Sequence, residues 1–264
     1  MKKKKRRFNR RLRFPIFLLI IFFLAFFLWD KWDALPHGES KPSAPVKAEE
    51  DSGKGITDRL GRLLFLRQAV KDCVPMENYV TIDRISPDLL HAIVAVEDNR
   101  FYSHHGFDLE GIARASLVNL QYGQIEEGAS TITQQLVKNL FLSQEQTFGR
   151  KAEELMLSMD MEANYSKDEI LELYLNTIYF GSNFYGIASA AEGYFGKSPR
   201  ELDLSEAAML AGLPNAPSLY SPYVDFILAK KRQFIVLDAM VRHGYITEDA
   251  AEDAKIRPIN LAHE

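Results

Sequence analysis

The chain has 264 residues, a formal net charge of −4, 47% hydrophobic residues and a single cysteine. That length and apolar content suffice for one sizeable core of about 200 residues, and Cys73 on its own excludes an internal disulfide framework. Nine of the 32 Lys and Arg residues fall in residues 1–13, so the remainder is net −13, which argues against a nucleic-acid partner.

The basic block is followed by FPIFLLIIFFLAFFLW, sixteen uncharged residues over 14–29. As a helix this run spans roughly 24 Å, slightly short of a bilayer core of about 30 Å. Trp29 and Trp32 suit the far interface and the flanking arginines can snorkel. Residues 14–32 are therefore predicted as a transmembrane signal anchor. Residues 1–13 are placed in the cytoplasm by the positive-inside rule, with everything beyond Trp32 outside. A cleaved signal peptide would need small residues after the apolar run, where Asp30-Lys31-Trp32-Asp33 stands instead. Residues 33–55, with Pro36, Pro42 and Pro45, read as a linker. A folded domain is expected over 56–250, with residues 251–264 as a tail.

Within the domain, residues 56–72 are amphipathic and predicted helical, and Tyr79-Val80-Thr81-Ile82 is a short strand candidate. Ser86-Pro87 predicts a helix start, with Ser as N-cap and Pro in the first turn. Helical periodicity then runs over about 87–98, 108–122, 130–142, 149–164, 167–176, 184–195, 203–212 and 225–243, broken mostly at glycines and at Pro214. The fold is predicted as mainly α. No Cys/His spacing suits a structural metal.

Three stretches can carry chemistry. Glu97-Asp98-Asn99-Arg100-Phe101-Tyr102-Ser103-His104-His105-Gly106 follows an apolar helical run. A carboxylate at that edge can be partly desolvated, which raises its pKa and makes Glu97 a candidate base near neutral pH. An ordinary acidic helix end reads the same way. In Ser130 to Asn139, Ser130 is expected to cap a helix whose apolar side holds Ile132, Leu136, Val137 and Leu140. Its other side carries Thr131, Gln134, Gln135 and Lys138, donors suited to a phosphate or a sugar. In Arg150-Lys151-Ala152-Glu153-Glu154, Arg150 and Glu154 share a face. They read either as a surface ion pair or, with Lys151, as an anion site near a helix start. Further on, Ser166 and Glu169 form a capping box, and Asn176 with the aromatic and glycine segment Tyr179 to Gly186 either floors a sugar cleft or belongs to the core.

Taken in order, these stretches resemble the peptidoglycan glycosyltransferases of glycosyltransferase family 51. E-D-x-x-F-x-x-H-x-G is met by Glu97, Asp98, Phe101, His104 and Gly106. G-x-S-T-I-T-Q-Q-x-x-K-N is met by Gly128, Ser130 to Gln135, Lys138 and Asn139, and R-K-x-x-E by Arg150, Lys151 and Glu154. I-L-E-x-Y-L-N is met by Ile170 to Asn176, and a last block by Glu206 to Pro214. Tyr220-Ser221-Pro222 departs from the family, which often has Asn between Tyr and Pro. The chain stops near residue 264, so the likeness is to the monofunctional transglycosylases.

The resemblance implies a lysozyme-like, two-lobed helical domain, with a head and a jaw, behind one N-terminal transmembrane helix at the bacterial plasma membrane. Residues 107–125 are the jaw candidate. The implied reaction polymerises lipid II into β-1,4 glycan strands with inversion and release of undecaprenyl pyrophosphate. Glu97 would be the base on the acceptor hydroxyl. Lys138, Arg150 and Lys151 would hold the donor pyrophosphate, and Glu154, the second catalytic residue, would orient those cations or stabilise the departing pyrophosphate, directly or through a divalent ion. Asp98, Phe101, His104, Ser130, Thr131, Gln135 and Asn176 would shape the site. The implied partners are lipid II, the growing lipid-linked glycan, the bilayer and other wall-synthesis proteins. No cofactor is required, with a divalent cation (Mg or Mn) left open. A glycan-cleaving enzyme and an inactive membrane-anchored scaffold are the competing readings.

Overall fold

The computed structural model describes residues 62, 65–122, 130–142 and 148–262, with only the backbone for 116–122 and 148. The basic block, the predicted anchor, the linker and Gly128 lie outside the described residues. Among the described residues no helix is long and apolar enough to cross a membrane.

Eleven α-helices follow one another among the described residues, without a named strand: α1 Leu66–Cys73, α2 Pro87–Glu97, α3 Leu109–Tyr122, α4 Ile132–Phe141, α5 Phe148–Asn164, α6 Lys167–Thr177, α7 Ile187–Phe195, α8 Leu204–Gly212, α9 Pro217–Tyr220, α10 Phe226–Arg242 and α11 Glu248–Ile256. The mainly α expectation holds. The strand candidate at 79–82 does not: these residues run into a short 3-10 turn, Ile82–Arg84, and Val80 bonds through its backbone to the Asn176 side chain rather than to a second strand.

Helix α8 is central because small residues recur along its buried faces. Ala207, Ala208, Ala211 and Gly212 are buried and let α2 and α10 pack closely against it. A Cβ on Gly212 would lie 2.7 Å from the Arg232 Cγ, so glycine here admits the stem of that arginine. A second group packs α4 against α5 and α6. Both groups share one continuous core that includes Leu89, Ile132, Leu136, Tyr174, Leu210 and Leu237. The jaw candidate α3 buries Ala115 and exposes Leu109 and Ile112.

Caps decide where the helices begin. Ser166 and Glu169 form the expected box at α6. At α4 the cap is Thr131, not Ser130: the Thr131 hydroxyl accepts from Gln134 N and the Gln134 side chain accepts from Thr131 N. Ser86 precedes α2 without capping it, because its hydroxyl donates instead to the Leu202 carbonyl at 3.0 Å. The expected tail is part of the fold. Thr247 caps α11, whose Ala251 and Ala254 are buried against α10 and α8, and Ala262 N donates to Tyr194 O.

Candidate active site

Helix α2 ends at Glu97, and a tight loop follows. Asp98 is buried and ties the loop to α4: its carboxylate accepts from His104 Nε2 at 2.9 Å and from Ile132 N at 3.0 Å. Acceptance by a carboxylate fixes the Nε2–H form of that imidazole. Phe101 is fully buried on the 3-10 turn Phe101–Ser103, with Lys167 Nζ 4.4 Å from its ring centre. Gly106 closes the loop in a left-handed conformation (φ +89), where a Cβ would strike the Ser158 backbone at 2.8 Å. Its carbonyl accepts from the Thr131 hydroxyl at 2.9 Å. Thus Asp98, Phe101, His104 and Thr131 hold the end of α2 against the start of α4.

That register sets the environment of Glu97. Gln135 Nε2 donates to Glu97 Oε2 at 2.8 Å, and Tyr174 donates its hydroxyl to Gln135 Oε1 at 3.0 Å. Because Tyr174 satisfies the amide oxygen, the amide nitrogen must face Glu97. Glu97 Oε1 is buried without a hydrogen-bond partner among the described residues. The Arg232 Nη2 lies 4.0 Å away, a charge contact rather than a hydrogen bond. Burial raises the Glu97 carboxyl above the ordinary range, the Gln135 bond and the Arg232 charge draw it back, and Asp98 raises it. The Tyr174 phenol is pushed well above its usual value, chiefly by burial and also by Glu97 and Asp98.

Glu97 opens onto a cavity of about 540 Å³. Ser130, Thr131, Gln135 and Lys138 line it from α4, as expected, although Gln134 is spent on the cap. Arg114, Arg232, Arg242 and His243 line it too. The sequence reading missed them. Arg232 is aimed by its surroundings: its Nε donates to the Gly212 carbonyl at 3.3 Å and its guanidinium lies 5.7 Å from the Tyr220 ring centre. His243 shares a hydrogen bond of 3.1 Å with the Asn99 amide, and burial followed by Arg242 and Arg114 lowers its pKa.

Two expectations change here. Arg150, Lys151 and Glu154 do not line this cavity. Glu154 is buried and takes Arg150 at 3.2 Å and Lys151 on its two oxygens, since i+3 and i+4 spacing on α5 puts all three on one face. Asn176 is a strut: it donates to Val80 O and Glu172 O, accepts from Val80 N, and borders a different cavity. The residue at the departing position, Ser221, is fully buried and bonds Ser182 and Tyr194.

Each described carboxylate around the main cavity already has a protein partner. Asp98 serves His104 and Ile132, Asp108 serves Arg100 at 3.0 Å and the Glu110 backbone, and Glu97 serves Gln135. Among the described residues no cluster of His, Cys, Asp and Glu is suited to a metal ion. The arrangement is a Glu97 carboxylate with one buried, unbonded oxygen, sharing its cavity with Lys138, Arg114, Arg232 and Arg242. Such a site can take a proton from a hydroxyl while stabilising a negative leaving group.

The chain was compared with known proteins. A family model described as Transglycosylase matches residues 67–241. Penicillin-binding protein 1A of Aquifex aeolicus is 47% identical over 70% of this chain and 26% of its own length. Penicillin-binding protein 1A of Escherichia coli is 48% identical over 69% of this chain and 21% of its own length. The crystal structure of penicillin-binding protein 1A from Haemophilus influenzae aligns with a TM-score of 0.43 at 28% identity, covering 70% of this chain and 18% of that one. The chain thus spans about a quarter of the length of these curated relatives, which do not carry the monofunctional part of the expectation. The match over 67–241 and the ordered motifs within it place the chain in the transglycosylase family, glycosyltransferase family 51.

Proposed function

We propose that the protein polymerises lipid II into β-1,4 glycan with inversion at the donor carbon, releasing undecaprenyl pyrophosphate, from an N-terminally anchored position outside the bacterial plasma membrane. The single observation that carries this reading is that Glu97, Lys138 and Arg232 line one cavity, with Arg232 Nη2 4.0 Å from Glu97 Oε1. In the reaction the acceptor sugar hydroxyl attacks the donor anomeric carbon and passes its proton to the Glu97 carboxylate. The bond from that carbon to the pyrophosphate breaks, and the leaving group departs with its charge. Because that group is already a stable anion, fixed cations accelerate its departure more than a proton donor would.

Lys138 and Arg232 face that charge. Arg150 and Lys151 share the single carboxylate of Glu154, so that face of α5 keeps one net positive charge. No step is routed through a divalent cation. A glycan-cleaving enzyme would need a carboxylic acid to protonate its leaving oxygen and a second carboxylate 5–10 Å away, roughly, for water or sugar. Arg232 and Lys138 have no task in that chemistry, since a finished glycan carries no pyrophosphate.

The test is incubation of the purified full chain with lipid II, with and without EDTA, followed by separation of lipid-linked products. Lengthening lipid-linked strands are expected. Release of soluble muropeptides from finished wall, with no strand growth, would establish the cleaving reading instead.

A further inference from the structure

Helix α10 borders the main cavity along one stripe. Arg232, Ile235, Ala239, Arg242 and His243 all line it, and their spacing of i, i+3, i+7, i+10 and i+11 puts them on one side of the helix. Both ends of the stripe meet the segment that carries Glu97. At one end Arg232 Nη2 lies 4.0 Å from Glu97 Oε1. At the other, three turns or roughly 16 Å along the axis, the His243 ring meets the Asn99 amide at 3.1 Å.

His243 is put there by the way α10 ends. Gly244 is left-handed (φ +74), Tyr245 N donates to Met240 O at 2.9 Å and Gly244 N to Val241 O at 3.0 Å. These are the paired bonds of a Schellman motif. A Cβ on Gly244 would meet nothing within 4 Å, so glycine serves its φ and not its space. The chain beyond is pinned to α2, because the Tyr245 ring stacks on His91 with centroids 4.8 Å apart. The end of α10 is thus tied to α2 by a ring stack and, through His243, to the loop that α2 runs into.

The His243 bond has one polarity. The Asn99 atom is Nδ2, which can only donate, so His243 Nε2 must be unprotonated and the ring neutral. Burial and the charges of Arg242, on its own helix, and Arg114, on α3, favour that neutral form. A neutral ring adds no charge to the cavity and no further grip on an anion. What it supplies is an acceptor at a fixed place. A slide or turn of α10 moves Arg232 and His243 together, so a bond that holds His243 also limits how far Arg232 can drift from Glu97.

We propose that His243 is a positioning residue for bond formation: acting through Asn99, it holds the α10 stripe in register with the Glu97 loop and so keeps the Arg232 guanidinium at its distance from the Glu97 carboxylate. The part in bond formation rests on the proposed function; the register does not.

The experiment takes the purified full chain in detergent and has two readouts. One is strand growth from lipid II as a function of pH. The other is the melting-temperature gap between each protein and its Glu97→Gln counterpart as a function of pH, which follows the titration of Glu97 without any substrate. His243→Ala is expected to lower kcat by about 2- to 12-fold, the worth of one neutral hydrogen bond, with KM for lipid II unchanged. With Arg232 less closely held, the Glu97 carboxylate is favoured less, so the acidic limb of the rate profile should move to higher pH and the melting gap should level off at higher pH. Asn99→Ala should do the same, and the double variant no more than either alone. His243→Gln, whose amide oxygen can accept from Asn99 where Nε2 does, should restore both rate and titration. The proposal is overturned by a Glu97 titration unmoved in His243→Ala, by additive effects of the two alanines, by a loss confined to KM, or by a loss that glutamine does not restore. Strand growth by the wild type with an unmoved titration would sink the register and leave the polymerase standing. A moved titration in a chain that grows no strands would do the reverse.

Discussion

Replacing Gln135 with leucine isolates the contact that tunes the proposed base. The wild-type amide donates to Glu97 Oε2 at 2.8 Å and accepts the Tyr174 hydroxyl at 3.0 Å. Leucine has similar bulk and neither bond. A hydrogen bond to a charged group contributes about 1.5–3 kcal/mol, and here it favours the ionised carboxylate over the neutral acid. Without it the Glu97 pKa, already raised by burial, rises further. A base works only when deprotonated, so at fixed neutral pH the rate should fall, by at most about 10- to 150-fold. The acidic limb of the rate profile should move to higher pH, and activity should recover on the alkaline side. Tyr174→Phe removes only the neutral bond that orients the amide and should cost a few-fold. In the double variant the tyrosine no longer matters, so the two effects should be strongly non-additive. The assay is strand growth from lipid II as a function of pH. An acidic limb unmoved in Gln135→Leu would refute the assignment of Glu97 as the group being tuned.

Other predictions follow the same geometry. Lys138→Ala should raise the KM for the lipid-linked donor more than that for the acceptor, and equal losses in steady-state kinetics would contradict a role in holding pyrophosphate. Glu154→Gln leaves Arg150 and Lys151 facing a neutral amide. Since Lys151 is half exposed, the cost is discounted to about 1–3 kcal/mol, lowering Tm by roughly 2–10 °C in a thermal melt; a normal melt with abolished activity would instead mark Glu154 as catalytic. Gly106→Ala forces a side chain into a left-handed turn against the Ser158 backbone, and it should destabilise the domain by at least about 1–3 kcal/mol in urea unfolding.

Much of the helical plan is legible in the sequence because it is set locally. The apolar period of α2 and α10, the Ser166–Glu169 box and the glycine breaks each act within a few residues. The tilt of a carboxylate into an apolar edge at Glu97 is legible for the same reason. What the sequence leaves open is decided by partners distant along the chain. Ser86 looks like a cap until Leu202 claims its hydroxyl. Ser130 looks like the cap of α4, yet the cap is Thr131, whose hydroxyl is held by the Gly106 carbonyl. Lys230, Lys231 and Arg232 read as one basic run, and only the packing of α10 on Gly212 turns Arg232 toward Glu97. Asn176 fits a sugar cleft by residue type, yet Val80 and Glu172 occupy its amide. Arg150 and Lys151 fit an anion site by residue type, and the structure adds that both pair with the buried Glu154 carboxylate one turn along the helix.

Glu97→Gln tests the central claim most directly, because folding and chemistry should move in opposite directions. A carboxyl whose folded pKa is raised contributes stability below its ordinary pKa and loses it as pH rises through the folded value. The glutamine variant should therefore melt higher than the wild type at neutral and alkaline pH, with the difference vanishing below the ordinary glutamate range. With that variant shown to be folded and at least as stable, strand growth from lipid II at neutral pH should be abolished. Polymerisation by Glu97→Gln at the wild-type rate would contradict the account, since the buried carboxylate would then not be the base.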